Sequence, residues 1–250
     1  MHSKSATAIR HSAVDGMGTI RSLLESRGYR TSYRDAAAGR IRSIDPLDVD
    51  MLVVLGGPLH AHDMERHLFL QEEIDLIRIR CHYGLPTLGI SLGAQLISYA
   101  IGGEVRAMAQ PEIGIAPVVL TEQGRRSCLM PLGSGAPVLH WHSDEIVLPP
   151  GVSSLAATPR SQAQAFMYGS STLALQFHLE TDVEQIGTRI HRCRRELEEA
   201  GIDLDRFRRQ AREEAQHLRH ACHAVMTRWL DEIDGLPNDD THGIPLRATF

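Results

Sequence analysis

The chain has 250 residues, 42% of them hydrophobic, and a formal net charge of -5 at pH 7. That is apolar material for one substantial core. No apolar run approaches the ~18 residues of a membrane-spanning helix, and the acidic balance argues against a nucleic-acid or polyphosphate partner. The amino terminus, Met1-His2-Ser3-Lys4-Ser5, lacks the apolar stretch of a signal peptide. Cys81, Cys128, Cys193 and Cys222 have neither metal-type nor disulfide-framework spacing, so a cytoplasmic protein with reduced thiols is expected.

In chain order, residues 6–10 read as a short strand. Met17, Ile20, Leu23 and Leu24 recur at helical spacing within 16–27, Gly28 closes that helix, and 29–33 begins a second strand. Asp45-Pro46-Leu47-Asp48 is a turn before a buried strand, Met51-Leu52-Val53-Val54-Leu55, which runs into Gly56-Gly57-Pro58. Helical periodicity resumes over 65–82 and ends at Gly84. Leu85-Pro86-Thr87-Leu88 then reads as a buried strand and 96–101 as a helix. Such repeating strand–helix units predict an α/β fold: an open, mostly parallel sheet with helices on both faces. Ligands in such sheets bind beyond the carboxyl ends of the strands.

From 104 to 177 the pattern changes. Short β-rich runs at 115–120, 138–141 and 146–148 are separated by Gly, Pro and Ser, with no strong helix, and 172–177 reads as a strand. Residues 182–200 and 204–233 are helical and heavily charged, with Gly201-Ile202-Asp203 between them, and 234–250 reads as a loose tail. No internal repeat or low-complexity tract interrupts the chain.

The stretch Gly89-Ile90-Ser91-Leu92-Gly93-Ala94-Gln95 joins the buried strand to the helix at 96–101. A sharp strand-to-helix turn holds one side chain up at its tip, and the helix N-terminus below offers free N–H groups. This is the geometry of a nucleophile elbow with Ser91 at the tip, and the flanking glycines allow a tight bend and close substrate approach. Taken literally, G-x-S-x-G is the signature of serine α/β-hydrolases, which place the acid before the histidine. Here the order is reversed: in Gln176-Phe177-His178-Leu179-Glu180 the acid follows the histidine by two positions. On an extended segment those two side chains face the same way, so Glu180 can orient the imidazole of His178.

Gly-Gly-Pro after one strand, this elbow, and Gln-Phe-His-x-Glu late in the chain resemble the pattern of class I glutamine amidotransferases. The likeness is to stand-alone members similar to the amidotransferase domain of GMP synthetase. It extends to Pro111-Glu112-Ile113-Gly114, Trp141-His142-Ser143-Asp144-Glu145, Leu148-Pro149-Pro150-Gly151 and Gln164-Ala165-Phe166, and covers about residues 6–190. The resemblance implies a flavodoxin-like domain over 1–190, with 191–250 as a helical extension and tail packed on it. It also implies hydrolysis of a γ-glutamyl amide through an acyl-enzyme, with Ser91, His178 and Glu180 as the catalytic set. The oxyanion donors would be the backbone N–H groups of Gly57 and Leu92, and Gln95 with Trp141, His142, Ser143 and Asp144 would hold the amino-acid end.

Ser91 stands where the family has its nucleophilic cysteine. Three explanations compete: an engineered Cys→Ser substitution that traps substrate, a natural loss of activity, and a working serine. The otherwise complete site favours the trap. Leu179 replaces the usual proline, which is expected to loosen the backbone slightly. His60 and His62, just after the oxyanion glycine, are expected to wall the leaving-group side. Neither they, with His67, nor His217, His220 and His223 are expected to bind metal, and no cofactor is expected. The family offers two uses: a glutaminase passing ammonia to a separate synthetase, and a γ-glutamyl hydrolase that cleaves glutamate from a larger amine or small peptide. A non-catalytic γ-glutamyl-binding protein is a third reading. The charged carboxy-terminal helices are available to a synthetase partner or a second copy of the chain, although a solvated outer layer is the plainer expectation.

Overall fold

A computed structural model describes residues 4–39 and 41–235. The sheet strands are β1 (Ser5–Arg10), β2 (Arg30–Asp35), β3 (Met51–Val54), β4 (Thr87–Ile90), β6 (Val119–Leu120), β8 (Ser154–Ala157), β9 (Ala165–Tyr168) and β10 (Thr172–Leu175). They form one sheet in the order β2-β1-β3-β4-β10-β9-β8-β6. The run from β2 to β10 is parallel, while β9, β8 and β6 add antiparallel strands at one edge. The expected architecture is therefore observed.

Alternation along the strands decides which helix covers which face. In β3, Met51 and Val53 point into one core cluster, and Leu52 and Val54 into the other. The first cluster is closed by α1 (Gly18–Ser26) and α8 (Ala215–Asp234), the second by α2 (Leu68–His82) and α3 (Leu92–Ala100). Cys222, Val225, Met226, Trp229 and Leu230 of α8 are fully buried. The last helix is thus part of the main core, where a solvated layer was the plainer expectation. Asp234, assigned to the tail from sequence, ends α8 and pairs with Lys4 at 2.6 Å. The tail from 236 onward lies outside the described residues. Among the described residues, no helix is long and apolar enough to cross a membrane.

The middle of the chain differs most from expectation. The runs at 138–141 and 146–148 belong to one strand, β7 (Pro137–Val147), which pairs with the long β5 (Glu104–Pro117) as a separate antiparallel ribbon. A bulge between Ala107 and Glu112 sets Glu112 opposite His142. The one-turn α4 (Glu122–Arg125), capped by Thr121, lies in the stretch read as helix-free. The two charged helices are four: α5 (Val183–Arg192), α6 (Arg194–Glu199), α7 (Leu204–Glu213) and α8, broken at Cys193 and Glu214. Ile186 and Ile190 of α5, Leu197 of α6 and Phe207 of α7 pack on Ile115 and Leu139 of the ribbon. This contact lays α5 across the end of the parallel strands.

Helix α3 sits tightly on β3, because a Cβ on Gly93 would lie 2.0 Å from the Val54 carbonyl oxygen. Replacing Gly93 with alanine must push the helix off the sheet, and overpacking of this kind costs about 1–3 kcal/mol. At Gly187 of α5 a Cβ meets nothing within 4 Å. Denaturant unfolding should therefore show Gly93→Ala destabilised and Gly187→Ala unchanged or stabilised by about 0.5–1 kcal/mol. Equal midpoints would contradict this packing.

Candidate active site

The carboxyl ends of β1, β3, β4 and β10 lie at one edge of the sheet, and the chain after each contributes to one cleft of about 300 Å³. Ser91 follows β4 directly. Its backbone has φ 54° and ψ -110°, and it is the one non-glycine with positive φ among the described residues. Two bonds hold it there: Ser91 N–H donates to the Leu175 carbonyl at 2.8 Å, and its own carbonyl accepts from Gln95 N–H at 3.1 Å. The flanking glycines serve packing more than chain flexibility. A Cβ on Gly89 would meet Ile97 at 2.4 Å, and Gly93 has the contact with β3 already described. Leu92 opens α3, so its N–H has no intrahelical acceptor.

His178 is clamped against β7 by backbone bonds to Leu139 in both directions, at 2.8 and 3.4 Å. Its Nδ1 lies 2.7 Å from Glu180 Oε1, and both residues are buried. A carboxylate there makes Nδ1 the donor and leaves Nε2 as the acceptor. Burial pushes the Glu180 carboxyl up, but the adjoining His178 imidazole with its hydrogen bond, and the nearby Arg189 cation, outweigh it and hold the group below its ordinary value. The backbone of Glu180 is fixed as well, since its carbonyl accepts from Thr19 N–H of α1 at 2.8 Å. Leu179, where looser backbone was expected, is 2% exposed and packed in the core. Ser91 and His178 converge on Gly56: a Cβ there would lie 3.0 Å from His178 Cε1, 3.3 Å from Ser91 Cβ and 3.7 Å from Ser91 Oγ.

The Gly56–Gly57 peptide is positioned by a buried pair that the sequence does not announce. His11 follows β1, and its ring is completely buried. Its Nδ1 donates to the Gly56 carbonyl at 3.1 Å, and its Nε2 lies 3.1 and 3.2 Å from the two Glu73 oxygens. Burial alone would lower the imidazole, but the Glu73 charge prevails and raises it, which favours a ring that donates from both nitrogens. The peptide is trans, so the Gly57 N–H points away from His11. Gly57 is glycine because a Cβ would lie 2.4 Å from His11 Cβ. Room beside Ser91 and His178 is what Gly56 provides, since a Cβ there would crowd both.

Gln95, 4% exposed, lines the cleft. Its Nε2 donates to Gln176 Oε1 at 3.4 Å, and its Oε1 has no partner. Asp144 is also buried in the wall; its Oδ2 lies 2.7 Å from His60 Nδ1, while Oδ1 is unpartnered. Ser143 and Trp141 line the same cleft. His142 reaches it but spends its ring elsewhere: Nδ1 donates to the Asp144 carbonyl at 3.0 Å, and Nε2 lies 3.2 Å from Glu112. His60 borders the cleft beside Asp144, whereas His62 stacks on His60 with ring centroids 5.0 Å apart. The pair meets the wall of the cleft through the His60 bond to Asp144.

The far side of His178 belongs to α5. Arg189 Nη1 lies over the His178 ring, 3.2 Å from Nε2 and 3.5 Å from Nδ1, and Nη2 donates to Asp15 at 2.8 Å. The guanidinium carbon lies 5.6 Å from the centroid of the Trp141 ring. Sequence reasoning passed over Arg189 as one charge of a solvated helix. Its position between Ile186 and Ile190, on the apolar face, was the available signal.

Among the described residues, two groups bring three donor atoms within 4.8 Å of one another: His60, His62 and Asp144, and Glu112, His140 and His142. His217, His220 and His223 are in neither. The second group is already bonded, since Gln164 Nε2 donates to Glu112 at 2.6 Å and lies 3.3 Å from His142.

Comparison with known proteins agrees with this geometry. The family described as "Glutamine amidotransferase class-I" matches residues 18–196. A glutamine amidotransferase-like protein of Salmonella typhimurium, YfeJ, is 31% identical over 227 residues, 89% of this chain and 94% of that protein. The glutamine-hydrolyzing GMP synthase of Lactococcus lactis subsp. cremoris is 34% identical over 161 residues, 62% of this chain but only 28% of that enzyme. A glutamine amidotransferase structure from Thermotoga maritima superposes with a TM-score of 0.83 at 25% identity, covering 92% of this chain and 100% of that one.

The Glu112–His140–His142 cluster should make the fold acid-sensitive. Burial, helped by neighbouring His142, lowers His140 to about 4, so the unfolded chain binds its proton first as pH falls from 6.5. Burial would raise Glu112, but hydrogen bonds from His142 and Thr158 hold it at about 2; its contribution is present above about pH 4.5 and fades as pH falls toward 2. His140→Phe should flatten the loss of unfolding free energy between pH 6.5 and 4, an effect on the order of 3 kcal/mol. Glu112→Gln should flatten the lower window. Unchanged pH profiles would contradict both assignments.

Proposed function

The chain belongs to the class-I glutamine amidotransferase family, and from that premise we propose that it hydrolyses γ-glutamyl amides through an acyl-enzyme at position 91. The observation that carries this reading is the buried His178–Glu180 pair beside Ser91 in its strained turn. In the proposed reaction, His178 Nε2 takes the proton of the nucleophile as it adds to the side-chain carbonyl. The tetrahedral oxyanion is received by the N–H groups of Gly57 and Leu92, each such donor being worth about 10²–10³-fold in rate. His178 then gives its proton to the leaving nitrogen as the C–N bond breaks, and Glu180 steadies the charged ring. Water adds to the acyl-enzyme by the same route in reverse. Gln95 Oε1 and Asp144 Oδ1, both unpartnered, suit the α-ammonium group of the substrate.

Ser91 sets the rate of this chemistry. A serine hydroxyl gives up its proton far less readily than a thiol, so this form holds an acyl donor more readily than it turns one over. We read it as a trap of the cysteine enzyme. The free cysteines Cys81, Cys128, Cys193 and Cys222 fit a reducing, cytoplasmic setting. The match covers 28% of the Lactococcus GMP synthase, and delivery of ammonia to a synthetase is the alternative use of the same chemistry.

Steady-state assay of the Ser91→Cys protein on glutamine and on γ-glutamyl amides of larger amines separates these readings. Cysteine should raise kcat/KM by about 100-fold or more over the serine form, and His178→Ala in the cysteine background should lower it by about 10²–10⁴-fold. Activity that needs an added synthetase would point to ammonia delivery. A cysteine protein inert toward every γ-glutamyl compound would leave only ligand binding and refute hydrolysis.

A further inference from the structure

In the free protein a guanidinium lies against the general base. Arg189 Nη1 stands over the face of the His178 ring, 3.2 Å from Nε2 and 3.5 Å from Nδ1, and Ser91 Oγ makes no hydrogen bond with the ring among the described residues. The in-plane position of Nε2 stays open to the nucleophile's proton and the leaving nitrogen. The guanidinium is held from two other directions, by Asp15 at its Nη2 edge and by the Trp141 ring. It is therefore fixed beside the ring, in the wall of the same cleft. Arg192, one turn further along α5, adds a second cation to the same wall, and the anionic groups there are Asp15, already paired, and Glu196, exposed to solvent.

We propose that Arg189 selects γ-glutamyl amides whose amine carries a carboxylate, that is, γ-glutamyl amino acids and short γ-glutamyl peptides. This rests on the hydrolase reading above and names its substrate class. Glutamine releases ammonia, which has no group to meet a guanidinium. In a γ-glutamyl amino acid the α-carboxyl carbon is two bonds from the leaving nitrogen, so a nitrogen placed at Nε2 puts the carboxylate beside Arg189. Nη1 then gains a charge-assisted bond to the carboxylate while Nε2 stays open for proton transfer. The chemical step is unchanged: the nucleophile's proton passes to Nε2, the γ-glutamyl C–N bond breaks, and the same proton passes to the departing amine, which leaves as the free amino acid.

The test compares γ-glutamylglycine with γ-glutamylethylamide, which replaces the carboxylate with a methyl group. In the Ser91→Cys protein, kcat/KM for the glycine compound should exceed that for the ethylamide by about tenfold or more. Arg189→Gln should bring the ratio close to one, mainly by raising KM for γ-glutamylglycine, and Arg189→Lys should give an intermediate ratio because the charge remains without the fork. A ratio unaffected by Arg189→Gln overturns the proposal. If the cysteine protein turns over neither compound, the hydrolase reading fails and selectivity is read from binding instead. Calorimetric titration of the Ser91 protein should then show γ-glutamylglycine bound about tenfold more weakly by Arg189→Gln, and equal affinities overturn the proposal.

Discussion

A residue with a side chain at φ 54° and ψ -110° is held against its own preference, at a cost on the order of 1–3 kcal/mol. Ser91 persists there because the structure on both sides leaves it no alternative. The parallel ladder continues past the end of β4 to bond its N–H, the first turn of α3 bonds its carbonyl, and Gly93 lets that helix close against the backbone of β3. The strain does one thing for function: it lifts a hydroxyl out of a buried strand end and sets it beside the amide donors of a helix N-terminus.

Around that point the charges are arranged in opposed pairs. His11 and Glu73 are fully buried and act on a peptide, holding Gly56 by its carbonyl. His178 and Glu180 are buried and, in the proposed reaction, act on a proton. Arg189 and Asp15 stand at the mouth on the other side of the same ring. Removing one member of a buried pair strands its partner, which is costlier than the pair is worth. On the proposed hydrolase reading, the site is rigid where acyl transfer needs fixed geometry, with the Arg189 guanidinium anchored over the ring of the base.

What could be read from the sequence follows from the range of the signals. The parallel core was legible because its strands are short apolar runs bounded by glycine and proline, and the motifs fell at strand ends. β7 was read as two pieces because the polar His142-Ser143-Asp144-Glu145 interrupts the apolar pattern, although the ladder to β5 runs through it. The carboxy-terminal helices were fused in the reading because their breaks, at Cys193 and Glu214, carry no glycine or proline. His11 with Glu73 and Arg189 with Asp15 are separated by 62 and 174 residues, and no local pattern marks a charged residue as buried by so distant a partner. Which glycine leaves room in the site, Gly56 and not Gly57, was likewise decided by the packing of His11.

The account stands on position 91 being the nucleophile, reached from the Gln95 side and served by His178. Mass-spectrometric mapping of the Ser91→Cys protein after treatment with a glutamine analogue bearing an electrophilic chloroketone tests this most directly. Cys193 borders the same cleft and is an internal control. The account predicts a single adduct at position 91, formed slowly when His178 is replaced and blocked by excess γ-glutamyl substrate. An adduct at Cys193 alone, or none at position 91 in the folded protein, would contradict it.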